Sequence, residues 1–200
     1  PLGLPIASYP DFPANNFIDQ HTLAKWKQLG IVPSDLCSDS EFIRRAMLDI
    51  CGTTPNAEEV NAFVSNSAPD KRAKLVDQLL DRKEYADFFT LKWADILRVK
   101  RRGNANLRRS TYGFSRWINK NLNDDLPYDQ FVREILAAQG DVSSSPPVAW
   151  YKEIKDAQAA VDDAAQVFLG LRIQCARCHH HPFEKWSQDD YYGFAAFFAR

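Results

Sequence analysis

Asp156-Ala-Gln-Ala-Ala-Val-Asp-Asp-Ala-Ala-Gln-Val-Phe-Leu-Gly-Leu-Arg-Ile-Gln-Cys-Ala-Arg-Cys-His-His-His181 is the stretch on which the reading of this chain turns. Ala160, Val161, Ala164, Ala165, Phe168 and Leu171 recur at helical spacing. They predict a helix over 156–171 whose inner face is made of small residues, suited to close approach by another helix or a flat ring. That helix delivers the chain to Cys175, Cys178 and His179, a Cys-x-x-Cys-His pattern with His180 and His181 directly after it.

Working outward, the same 3.6-residue period recurs on both sides. Beyond the motif, Pro182 pushes His181 toward an extended conformation, and a closing helix from Gln188 carries Tyr191, Tyr192, Phe194, Phe197 and Phe198. Upstream, helices are predicted over 15–29 (closed by Gly30), 39–51 (capped by Ser38 or Asp39), a short one opened by Thr54-Pro55, then 70–82, 84–99, 111–122 and 128–139. Asp141 to Ala149, with three serines and two prolines, reads as a loop leading to Trp150 and Tyr151, for which packing is the commoner role and a cofactor or sugar face the alternative. No strand pattern competes. The expected fold class is all-α, an irregular multi-helix domain with the Cys-x-x-Cys-His motif near its C-terminus.

Residues 1–14 read as a lead-in: Pro1-Leu2-Gly3 has the form of a protease-tag remnant, and Pro5, Pro10 and Pro13 keep the rest of this segment extended. Residues 15–200 are expected to form a single helical domain, excised from a longer chain because a helical pattern is still running at Arg200. The 200 residues, 45% hydrophobic and 12% aromatic, suffice for one buried core. A net charge of -1 creates no global field for nucleic acid or an anionic membrane. No apolar run reaches the roughly 18 residues of a membrane span, so no membrane insertion is expected, and no secretory leader is visible at the start.

Cys-x-x-Cys-His is the spacing of c-type haem attachment, in which two thiols add to the haem vinyl groups and the adjoining imidazole binds iron. Two other chemistries use the same residues. A zinc site would recruit Cys175, Cys178 and one or two of His179, His180 and His181, although structural zinc usually draws four ligands from two separated pairs. A disulfide or redox pair would need the cysteines alone, and the redox form wants a βαβ context that is missing here. Cys37 and Cys51 flank a predicted helix roughly 18 Å long, so no bridge between Cys37 and Cys51 is expected.

Other residues are candidates by elimination. His21 is the only histidine far from the motif, and Met47 the only methionine, so they and His180 and His181 are the candidate sixth or second-shell ligands. Met47 also has the spacing of a core residue. Arg98, Lys100, Arg101, Arg102, Arg108 and Arg109 form the one basic segment, read as a solvated loop with helix ends or, functionally, as a docking patch for an acidic redox partner or a clamp on haem propionates. No hydrolytic triad or carboxylate pair can be argued.

The block from Cys175 through Gly193 resembles the planctomycete-type cytochrome c-like domains, a domain of unknown function found in large exported multidomain proteins. Supporting stretches are Phe42-Ile43-Arg44-Arg45 with Leu48-Asp49, Gly52 and Pro55, Lys71 to Leu75, Lys92 to Asp95, Pro127 to Val132, and Phe168-Leu169-Gly170. The resemblance runs from Asn16 to Arg200. It implies haem c at Cys175 and Cys178, His179 as the proximal iron ligand, and a periplasmic or otherwise extracytoplasmic setting. His180 departs from it, since a smaller polar residue such as Asn is usual there.

The leading expectation is a haem domain for single-electron transfer to a redox partner protein or adjoining domain, rather than a catalyst on its own. The alternative is a zinc- or disulfide-stabilised helical interaction module associated with polysaccharide processing.

Overall fold

The computed structural model describes residues 9–100, 105–154 and 156–199, the side chains of 105–107 apart. Pro1-Leu2-Gly3, expected to be a tag remnant, and Arg101, Arg102 and Gly103 of the basic segment lie outside the described residues. Every helix and turn described is free of strand pairing, so the all-α expectation holds among the described residues. Within the span expected as one domain, the chain divides into two compact units, Pro1–Phe42 and Ile43–Arg200.

The first unit holds α1 (Phe17–Leu29). Its N-cap Asn16 accepts a hydrogen bond from the Asp19 backbone N–H at 3.0 Å, and Gly30, at φ 68°, closes it in the left-handed conformation that glycine adopts without strain. The expected amphipathic helix differs in one respect: it buries no residue, and Phe17, Ile18 and Leu29 are exposed.

α2 (Asp39–Cys51) runs into the second unit with the bounds its pattern predicts. Ile43, Met47 and Cys51, four residues apart, form its buried stripe. They meet α3 (Ala57–Ser65) and α4 (Lys71–Leu80), and the Cys51 thiol donates to the Leu79 carbonyl at 3.6 Å. Burial pushes the Cys51 thiol above its ordinary pKa. α3 begins later than Thr54-Pro55 suggests, because Asn56 and Glu59 form a reciprocal capping box that satisfies two backbone donors at once. Arg82 then bridges Glu59 (2.8 Å) and Glu84 (3.0 Å), tying α3 to the start of α5 (Lys83–Ile96).

α5 packs along α6 (Ala105–Asn123), which is longer than the 111–122 expected. Arg108 and Arg109 lack the apolar rhythm on which that boundary rests, yet arginine is a good helix former and extends the helix in solvent. α7 (Tyr128–Leu136) and a 3-10 helix, Pro146–Lys152, close this layer. That 3-10 helix corrects the loop predicted over 141–149: Pro146 stands at its first turn, where a fixed φ favours helix and the missing N–H costs nothing. Trp150 is 1% exposed, packed by Phe168 and Tyr151, which assigns it to packing. Around it Leu97, Phe114, Ile118, Phe131 and Ile135 form the main core, with Trp93 and Trp117 against Phe131 at ring separations of 5.1 Å.

Candidate functional site

α8 (Ala157–Phe168) has two working faces. Ala164 and Phe168 enter the aromatic core, while Val161 and Ala165 pack with Ile173, Ala176, Tyr191 and Ala195 in a second cluster that includes three alanines. Gly170, at φ 66°, reverses the chain after α8, and the Leu169 and Leu171 amides both donate to the Ala165 carbonyl. This brings Gln174–Arg177, a single 3-10 turn, onto the small face. The chain returns through α9 (Gln188–Ala196), opened by a capping box between Ser187 and Asp190. Hydrogen bonds from the Ser187 amide and hydroxyl hold the Asp190 carboxyl below its ordinary pKa.

The turn is oriented by the first residue between the cysteines. Ala176 is fully buried in the small cluster and its amide donates to the Ile173 carbonyl at 2.9 Å. With Ala176 pointing in, Cys175 and Cys178 are both exposed. The Cys175 carbonyl accepts from the Cys178 and His179 amides, and the Arg177 carbonyl accepts from Gln188 Nε2 and the Tyr192 hydroxyl, each at 3.2 Å. The dithiol is thus presented outward on a backbone fixed from two sides.

The three histidines differ in which nitrogen is free. His179 Nδ1 lies 2.7 Å from the His180 carbonyl oxygen. A carbonyl only accepts, so Nδ1 carries a proton and donates, and in the neutral ring the Nε2 lone pair is left for a ligand. His180 Nδ1 accepts from the Gln188 amide at 3.1 Å, and His181 Nδ1 accepts from the Phe183 and Glu184 amides at 3.3 and 3.0 Å. An amide N–H only donates, so these two neutral rings keep their proton on Nε2 and have no outward lone pair. The His181 amide donates to the Trp186 carbonyl at 2.8 Å and closes the loop.

The model of a protein family described as PSCyt2, protein of unknown function (DUF1549), matches residues 17–200. The chain belongs to this family. No curated protein and no solved structure matches it. PSCyt2 membership covers α1 through α9 and the whole of the cysteine turn, nearly the same span as the resemblance carried by the motif block, and its description assigns no function.

The other sequence candidates of this PSCyt2 chain lie elsewhere. Met47 is 2% exposed in the core beside Ile43, as its spacing suggests, and His21 is exposed on α1 in the first unit. Among the described residues no three His, Cys, Asp or Glu side chains converge as a metal cage. Behind the turn is a cavity of about 230 Å³ walled by Ala165, Leu171, Ile173, Trp186, Tyr191 and Phe194. The Tyr191 hydroxyl donates to Asp162 Oδ1 at 3.0 Å, and burial with that carboxylate pushes the phenol above its ordinary pKa. Sequence reasoning missed Ala176, Gln188 and Tyr192 as the parts that hold the turn. Only the place of Gln188 at the start of α9 carried a local signal; the other two act through tertiary contacts. No helix among the described residues is long and apolar enough to cross a membrane.

Proposed function

We propose that the second unit is a c-type haem domain that passes single electrons to a redox partner protein or an adjoining domain in an extracytoplasmic setting. The observation that carries this reading is the division of labour among the histidines. His179 donates Nδ1–H to a backbone carbonyl and leaves its Nε2 free, the hydrogen bond that orients a metal-binding imidazole.

The donor set fits haem c better than zinc. A structural zinc site takes four sulfur or nitrogen lone pairs, whereas His180 and His181 commit theirs to backbone amides. Haem c needs two accessible thiols and one imidazole nitrogen, which Cys175, Cys178 and His179 supply. Haem c, when bound, would supply a one-electron iron couple. Cys175 and Cys178 would each add S–H across a vinyl double bond, a redox-neutral addition without a leaving group. Ala176 and the clamped Arg177 carbonyl hold both thiols on the solvent side of the turn, and His180 and His181 hold the loop after it. The rival disulfide-stabilised module leaves the free nitrogen of His179 without a role, and the zinc-stabilised form would find three ligands in the turn, Cys175, Cys178 and His179, where a structural site takes four.

The test is expression in a host with haem-attachment machinery, then oxidised and dithionite-reduced spectra and a pyridine haemochrome assay. The expected result is covalent haem c in the native protein. Cys175→Ala with Cys178→Ala abolishes the covalent link with the helical fold retained, and His179→Ala keeps the link but alters the iron spectrum, which His181→Gln does not. A folded, colourless native protein containing zinc or an oxidised Cys175–Cys178 pair sinks the proposal.

A further inference from the structure

We infer that the second unit also holds a binding site for one small, uncharged aromatic molecule of one or two rings, in the cavity that α8, α9 and the cysteine turn enclose. The cavity measures about 230 Å³. A dry apolar cavity of roughly 150 Å³ already takes benzene, so this one has room for a somewhat larger ring system. A tetrapyrrole is far too large for it, and Ala176 rather than either exposed cysteine forms its wall. The inference therefore stands whether or not the thiols carry haem.

The wall selects the chemistry of the ligand. Trp186, Tyr191 and Phe194 line the space together with Ala165, Leu171 and Ile173. Ring against ring gains more than the buried area alone supplies, which favours an aromatic occupant. The two oxygen-bearing side chains of the wall are committed within the protein. The Tyr191 hydroxyl is held by Asp162 Oδ1 at 3.0 Å and the Gln158 carbonyl at 3.3 Å, and the Asp190 carboxylate accepts from the Ser187 amide and hydroxyl, each at 2.8 Å. No lysine, arginine or histidine is among the lining residues, so a charged ligand would lose its hydration without gaining a partner. Apolar walls around an empty space forgo dispersion contacts, and a neutral ring restores them.

The backbone keeps the space open. Gly170, at φ 66°, reverses the chain, and the Leu169 and Leu171 amides both donate to the Ala165 carbonyl, which fixes two leucines at the cavity. Leu169 is 59% exposed and also lines the cavity, an apolar side chain where the cavity meets solvent. Ala165 on α8 and Ala176 on the turn are the small residues that leave the volume unfilled. Because the Ala176 amide bonds the Ile173 carbonyl at 2.9 Å, a ring seated against both residues would brace the turn that carries the thiols.

Naphthalene and indole are the probes, titrated into the folded protein and followed by its amide NMR spectrum. We expect saturable shifts centred on Ala165, Leu171, Ile173, Ala176 and Phe194, with slower hydrogen exchange at the Ala176 amide in the bound protein. The compound 2-naphthoate, the same ring with a carboxylate, should bind at least about tenfold more weakly than naphthalene. Ala165→Leu fills the cavity and removes saturable binding, whereas Leu91→Ala, at a 69% exposed position on α5, leaves it unchanged. Should Ala165→Leu not fold, xenon-pressurised crystals of the native protein decide the matter, with a xenon peak expected inside the cavity. Unsaturable or scattered shifts, equal binding of 2-naphthoate, undiminished binding in a folded Ala165→Leu protein, or a cavity without xenon overturns the inference.

Discussion

Ala164 and Ala165 are adjacent on α8 and equally buried, yet they belong to two different interiors. Ala164 shares its cluster with Trp150, Phe131, Phe114 and Phe168, a core in which large rings interlock. Ala165 shares its own with Ile173, Ala176 and Tyr191 beside the cavity of about 230 Å³. The first interior holds the helices together. The second places alanines, Ala165, Ala176 and Ala195, where a backbone turn comes close to a helix, with Ile173 and Tyr191 beside them, and the two thiols are turned outward. A site that presents its chemistry through backbone placement needs small neighbours, whereas a site of stability needs large ones.

The contrast can be broken most forcefully at Trp150. Trp150→Ala removes the largest fully buried side chain and should cost about 3–5 kcal/mol in urea unfolding. An equal loss at Phe183, 91% exposed on the motif loop, would show that the two regions do not differ as described.

It is sharpened by a matched pair. Ala164→Leu should destabilise by about 1–3 kcal/mol through overpacking, while Ala165→Leu, with a cavity beside it, should cost less than about 1 kcal/mol. Comparable losses by denaturant midpoint would mean that the space behind the turn does not yield.

The smallest effect concerns Tyr191. Its phenol pKa is raised in the folded protein by burial and by Asp162, so its contribution is full below the unfolded value of about 10 and is lost as pH rises through the folded one. Tyr191→Phe should cost about 1 kcal/mol near neutral pH and flatten the alkaline fall in stability above pH of about 10. A fall that persists unchanged in the variant assigns it to another group.

Much of the fold was legible because helices announce themselves locally. α2, with Ile43, Met47 and Cys51 on one stripe, begins and ends where its pattern says, and Gly30 closes α1 as a left-handed cap. The misses have local causes too. Pro146 and Pro147 have the look of breakers, although a proline is tolerated in the first turn of a helix; Asn56 with Glu59 is a capping signature overshadowed by Thr54-Pro55; the arginines before Ser110 continue α6 without an apolar rhythm. The exposure of Phe17 and Ile18 was not readable, since periodicity says which residues share a face and not whether anything covers it.

By itself, then, the sequence determined the helical class, most of the helix ends and the presence of two thiols and three imidazoles in seven residues, all properties set by contacts within a few positions of the chain. Only the tertiary structure decided which imidazole has a free nitrogen, through partners as far along the chain as Gln188, and which way the thiols face, through Ala176 seated against Val161 and Ala165. Hydrogen-bond partners and buried faces depend on which segments meet in space, and spacing along a single chain does not encode that directly.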